Sequence, residues 1–201
     1  MNLADWIRKT HPFPDQLDVI EGVSQAVDDA IRKEEGMLSP EPSRIEVASD
    51  HSVRMRPPSG TGPNSPYTAP EIREGRPPRP NADVFSAGVI FYEILAGRHP
   101  FMGENPKAEL EGALQPPPLR DLRPELPRDL TDAITACLER DPEWRPSDLG
   151  YLLQVVRSLK GPKAKPAPPP KARPPVVRPE PRRSEPRSAE AKRPAPSRTP
   201  V

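Results

Sequence analysis

The chain has 201 residues, with 30 Lys or Arg against 29 Asp or Glu, 34 prolines and one cysteine. That length allows one modest domain and a tail; the single cysteine, Cys137, excludes an intrachain disulfide and a cysteine-based metal cluster. The near-neutral total hides an acidic body and a basic tail: residues 161–201 hold 11 Lys or Arg and 3 Glu, a charge of +8, leaving 19 basic and 26 acidic residues, a charge of −7, in 1–160.

The opening residues, Met1 to Trp6, lack the basic region and apolar run of a signal peptide. No apolar stretch reaches membrane-spanning length, so a cytoplasmic protein is expected. Leu3, Trp6 and Ile7 give residues 3–9 an amphipathic helical pattern, which Pro12 and Pro14 should end. Asp15 is the expected cap of a longer helix to Glu35, with Leu17, Ile20, Val23, Val27 and Ile31 on one face and Gly36 closing it. Arg44–Val47 and Ser52–Met55 alternate apolar and polar residues, the pattern of two short strands turning at Ser49-Asp50-His51. Residues 57–66 read as a loop. Residues 83–97 are apolar on almost every side, the mark of a buried helix, with Asn81 or Asp83 at its start and Gly97 then Pro100 at its end. A short helix is expected over 106–114. An amphipathic helix is expected over Leu130–Glu139, and a last one capped by Ser147 and finished by Gly161-Pro162. Residues 161–201 hold 13 prolines and no aromatics, too little apolar surface to offset chain entropy, so this tail is expected to be disordered.

Three segments carry a resemblance. Tyr67-Thr68-Ala69-Pro70-Glu71 resembles the end of the activation segment in protein kinases, with its Ala-Pro-Glu signature. Asp83 to Phe101 resembles the helix at the centre of the kinase large lobe, and Cys137 to Ser147 the late segment whose arginine pairs with that glutamate. The order is right, and the likeness is to bacterial Ser/Thr kinases. It implies a mainly α fold: a kinase-like large-lobe helical subdomain over 1–160, built around one buried central helix, with a short β-hairpin and a disordered 161–201 tail. It assigns structural roles to Ala69, Pro70, Glu71, Asp83, Gly88 and Arg145. Independently of the family, a carboxylate at Glu71 and a guanidinium at Arg145 can form a forked, charge-assisted pair between distant segments.

The departures from that family shape the functional expectation. Phosphoryl transfer uses a glycine loop, a lysine with its glutamate, a catalytic aspartate, and an asparagine and an aspartate on metal. The glycine loop, the lysine and its glutamate belong to a small lobe, which is not seen before residue 3. With Pro42 and Ile45 as anchors, Ser39 stands at the catalytic aspartate, Glu41 at a lysine and Arg44 at the metal-binding asparagine, while Pro57, Pro58 and Ser59 replace the Asp-Phe-Gly triplet. These are degenerate positions by resemblance. The expectation is therefore a catalytically inactive pseudokinase module, not an enzyme, with no catalytic, cofactor or metal residues and no cofactor, acting as an interaction or regulatory element in signalling. The alternative is half of a split Ser/Thr protein kinase, whose residual acid would be Glu41 or Asp50, or a truncated kinase gene product.

Partners follow the same logic. Without a small lobe, apolar surface at Leu3, Trp6 and Ile7 and around Ile45 and Val53 should be exposed and dock a protein, a kinase or its substrate. The Pro166–Pro169 run, flanked by Lys163, Lys165 and Lys171, fits a polyproline-reading domain, and the basic tail fits an acidic surface. Nucleic acid is not the expected partner, because the tail has no aromatics to stack bases. His11, His51 and His99 lack metal-ligand spacing, and Ser39, Asp50 and His51 lack the elbow of a hydrolase triad. Cys137, Trp6 and Trp144 are expected to pack.

Overall fold

The computed structural model describes residues 1–33, 37–56, 65–102 and 116–161. The tail, the Pro57-Pro58-Ser59 replacement, the Gly36 cap and the expected 106–114 helix lie outside them. The elements in order are α1 (Leu3–Ile7), α2 (Phe13–Arg32), a 3₁₀ turn (Pro42–Arg44), β1 (Ile45–Val47), β2 (Val53–Met55), α3 (Pro70–Arg73), α4 (Asn81–Ala96), α5 (Leu119–Leu122), α6 (Arg128–Cys137) and α7 (Gly150–Lys160).

The apolar segment in mid-sequence becomes α4, and 13 of its 16 residues are buried, so it has no solvent face and the other helices are laid around it. Helix α2 packs on α4 and α7, and α6 packs on α4 and α7. Gly97, at φ 70°, ends α4 by donating its N–H to the Glu93 carbonyl, a left-handed closure that suits glycine. The strands pair antiparallel with Glu46 opposite Arg54. This hairpin lies against α2, where Gly22 leaves room for the Val53 side chain.

Several boundaries differ from expectation for local reasons. Helix α2 begins at Phe13, not Asp15, and takes Pro14 into its first turn; the missing N–H there has no intrahelical partner to lose. Ser147 does not cap the last helix. Asp148 accepts from the Gly150 N–H (2.9 Å), and Asp28 of α2 accepts from the Leu149 N–H (3.3 Å). Trp144 is 47% exposed rather than packed. Trp6 is buried and stacks on His11 with ring centroids 3.6 Å apart.

The expected docking surface is also corrected. Leu3 and Ile45 are fully buried and Trp6 is 3% exposed, because α1 lies across the hairpin and the 3₁₀ turn. Ile7 and Val53 are half-buried and pack on the same core. The chain covers these side chains itself. None of the described helices is long and apolar enough to cross a membrane.

Gly88 sits where α4 meets α6: a β-carbon there would lie 2.7 Å from the Cys137 β-carbon. Backbone on both sides must then move, and overpacking of this kind costs about 1–3 kcal/mol. Gly88→Ala should lower the unfolding free energy by that amount, seen by circular dichroism as a lower urea midpoint with an unchanged slope.

Candidate active site

The Glu71 and Arg145 side chains meet in the interior, 74 positions apart in sequence. The guanidinium donates to both carboxylate oxygens, at 2.8 and 3.1 Å, and the side chains are 2% and 0% exposed. Its remaining capacity goes to the Glu139, Asn81 and Arg140 carbonyls, and its flat face lies 5.0 Å from the Phe85 ring centroid. Helix α3, the first turn of α4 and the turn before α7 are thereby held together. Ala69 and Pro70 start α3 and so set where Glu71 points.

Asp83, in that first turn of α4, accepts the N–H groups of Leu38 and Ser39 at 2.7 and 2.8 Å. Burial pushes its carboxyl up, while the two amides and the Arg44 charge pull it back. From the other side Arg44 donates to the Leu38 and Ser39 carbonyls (3.0 and 2.8 Å) and to the Arg56 carbonyl (2.7 Å). One peptide is thus gripped on both edges, and Ser39 is held at φ 45°, a left-handed conformation a non-glycine residue rarely adopts.

The pinned loop forms one wall of a cleft of about 180 Å³. Met37, Ser39 and Glu41 line it on that side, with Tyr67, Thr68 and Ser86 opposite. The three acids near this loop part company. Glu41 lines the cleft. Glu46 is paired with Arg56, and Asp50 has its carboxyl held low first by the Ser52 hydroxyl and then by the Ser52 N–H it accepts from in the hairpin turn. Neither lines the cleft. Ser39, His51 and Asp50 are likewise not brought together as a triad. His51 faces Asp15 and Asp18, each at 3.7 Å.

Tyr67 was legible only as part of the signature; its function in the site was missed. Its hydroxyl donates to Glu93 at 2.7 Å, and its ring meets His99 edge-on. Burial is the main cause that pushes both the Tyr67 hydroxyl and the Glu93 carboxyl up. Glu93 is the single charged residue between Val84 and Gly97, and a charge in the apolar run that follows Asp83 is the signal that could have found it.

A family model described as "Protein kinase domain" matches residues 51–158. The chain is 38% identical over 96 residues to the serine/threonine-protein kinase mos of Patiria pectinifera, covering 45% of this chain and 26% of that one. It is 38% identical over 103 residues to serine/threonine-protein kinase PkaA of Streptomyces coelicolor (50% and 19%), and 32% over 111 residues to PknA of Mycobacterium tuberculosis (53% and 25%). The chain spans about a fifth to a quarter of the length of these relatives. The crystal structure of the Mycobacterium tuberculosis PknI kinase domain superposes with a TM-score of 0.64 at 20% identity, covering 80% of this chain and 62% of that one, which shows a kinase-like fold.

These matches overturn the expectation that the chain is not an enzyme. Residues 51–158 match the protein kinase domain model, and the relatives matched are named Ser/Thr protein kinases. The expectation had rested on the missing small-lobe groups, on substitutions at Ser39, Glu41 and Arg44, and on the Pro57-Pro58-Ser59 replacement. In space the loop still carries a carboxylate, Glu41, into the cleft. The donor set does not fit a magnesium ion, which takes oxygen ligands: among the described residues one carboxylate lines the cleft, and the loop carbonyls are already held by the Arg44 guanidinium.

Burial holds the His99 imidazole down, to about 4 from an ordinary 6.5, with the Arg73 charge adding to the effect. Between those values the unfolded chain takes up a proton that the folded chain refuses, so His99 makes stability fall as pH drops from 6.5 towards 4. Asp83 and Glu93, raised by burial, act in the opposite sense. His99→Gln should therefore flatten the acid limb of a stability-against-pH curve measured by urea unfolding.

Proposed function

The chain belongs to the protein kinase family, and from that premise we propose that it is the large-lobe half of a Ser/Thr protein kinase, transferring the γ-phosphoryl group of a nucleoside triphosphate to a protein hydroxyl when joined by a small lobe. One observation carries the reading: a carboxylate, Glu41, lines a cleft between a clamped loop and the 65–69 segment. Glu41 and Asp50 were the two acids open to such a role, and the cleft contains only the first.

In this reading a serine or threonine of the substrate enters the cleft beside Thr68. Glu41 takes the hydroxyl proton as the oxygen attacks the γ-phosphorus, and the bond to the leaving diphosphate breaks. No step is routed through a metal ion. The chain's own work is orientation. Asp83 and Arg44 fix the backbone that bears Glu41, and the Tyr67–Glu93 hydrogen bond ties the facing segment to α4. In this reading a small lobe takes the place of the kinase or substrate partner expected at the surface left by its absence. The docking of Pro166–Pro169 to a polyproline-reading domain is a further part of the proposal and rests on the tail's sequence alone.

The test is transfer of labelled phosphate from ATP to a Ser/Thr-containing protein, by the purified chain alone and with a kinase small lobe added as a separate polypeptide. Transfer is expected with the small lobe present. Glu41→Gln should reduce it about 100-fold or more, the usual contribution of a general base. Asp50→Asn should leave it unchanged. No transfer in either mixture, or transfer indifferent to Glu41→Gln, would contradict the proposal.

A further inference from the structure

Arg44 stands where the family places a metal-binding asparagine, and its environment is unlike that of a surface arginine. The residue is 6% exposed, and three of its hydrogen bonds end on backbone carbonyls rather than on a carboxylate. Two of those carbonyls, Leu38 and Ser39, belong to the residues whose N–H groups Asp83 accepts. The third, Arg56, lies just past β2, and the Arg56 N–H returns a bond to the Arg44 carbonyl at 2.9 Å. Positive charge on one edge of the loop and negative charge on the other squeeze the intervening peptide, whose dipoles lie between them.

A divalent cation orders a loop by drawing in oxygen ligands from separate segments. Here a guanidinium already does so, gathering carbonyl oxygens from the 38–39 turn and from the end of the hairpin. A second cation in the same place would meet a fixed positive charge in a poorly screened interior and find those oxygens engaged. We propose that Arg44 is the built-in cation of this loop, a positioning residue that orders residues 38–41 without magnesium. Glu41, two residues beyond Ser39, inherits its place from that order. The inference goes beyond the phosphotransfer reading and does not need it, since it concerns the loop and not the reaction.

Hydrogen–deuterium exchange of the full chain tests it at the Leu38 and Ser39 amides. In the unaltered protein exchange there should be the same in millimolar magnesium and in EDTA. Arg44→Gln should speed it about tenfold or more, as expected for loss of charge-assisted hydrogen bonds, while amides of Ile20 and Ile90 in the core stay protected. Magnesium slowing exchange at Leu38 and Ser39 in the unaltered protein, or Arg44→Gln leaving it unchanged, would overturn the proposal. Should Arg44→Gln fail to fold, the magnesium comparison on the unaltered chain decides. Because nothing here reads transfer of phosphate, an inactive protein with a magnesium-indifferent loop would refute the functional reading and leave this one standing.

Discussion

The Glu71–Arg145 pair is the constraint on which the rest of the structure depends. Taking both charges out of water costs several kcal/mol each, and their attraction does little more than offset that cost. The pair is therefore weak evidence of net stability. Its effect is geometric. Once buried, neither group tolerates loss of the other, so α3, the start of α4 and the turn before α7 must keep one relative placement. The forked geometry and the added carbonyl partners of Arg145 leave little freedom in that placement.

The constraint reaches the cleft through α4. Arg145 holds the Asn81 carbonyl, and two residues later Asp83 holds the Leu38 and Ser39 amides. Three turns further along the same helix Glu93 receives the Tyr67 hydroxyl. A single helix, itself buried on nearly every side, thus fixes both walls of the cleft, and the apolar run that makes it buried also makes it rigid. Polar side chains on such a helix are expensive unless satisfied. Asp83 and Glu93 each find a partner across the interior, and those partners are the cleft-forming segments.

Much of this was legible in the residues because it rests on pattern. The central helix announces itself by lacking a polar face, and Glu71, Asp83 and Arg145 by their place in recognisable segments. What was not legible depends on tertiary cover. Leu3, Trp6 and Ile45 looked like exposed patches because nothing in a linear reading shows α1 folding across the hairpin. Ser147 looked like a cap, yet Asp148 and the distant Asp28 take the N–H groups at that helix start. The loop from Met37 to Arg44 was the hardest case. A residue-by-residue register made each substitution a loss, whereas in space Glu41 faces the cleft and Arg44 turns inward to hold the backbone.

A double-mutant cycle on Glu71 and Arg145, with Glu71→Gln, Arg145→Met and the pair combined, measures the central constraint most directly. If each charge is stranded by loss of the other, the single substitutions should cost about 3–5 kcal/mol each, and the combined one much less than their sum, a coupling of about 2 kcal/mol or more. Costs that simply add, to within about 0.5 kcal/mol, would contradict the idea that this pair sets the frame of the cleft.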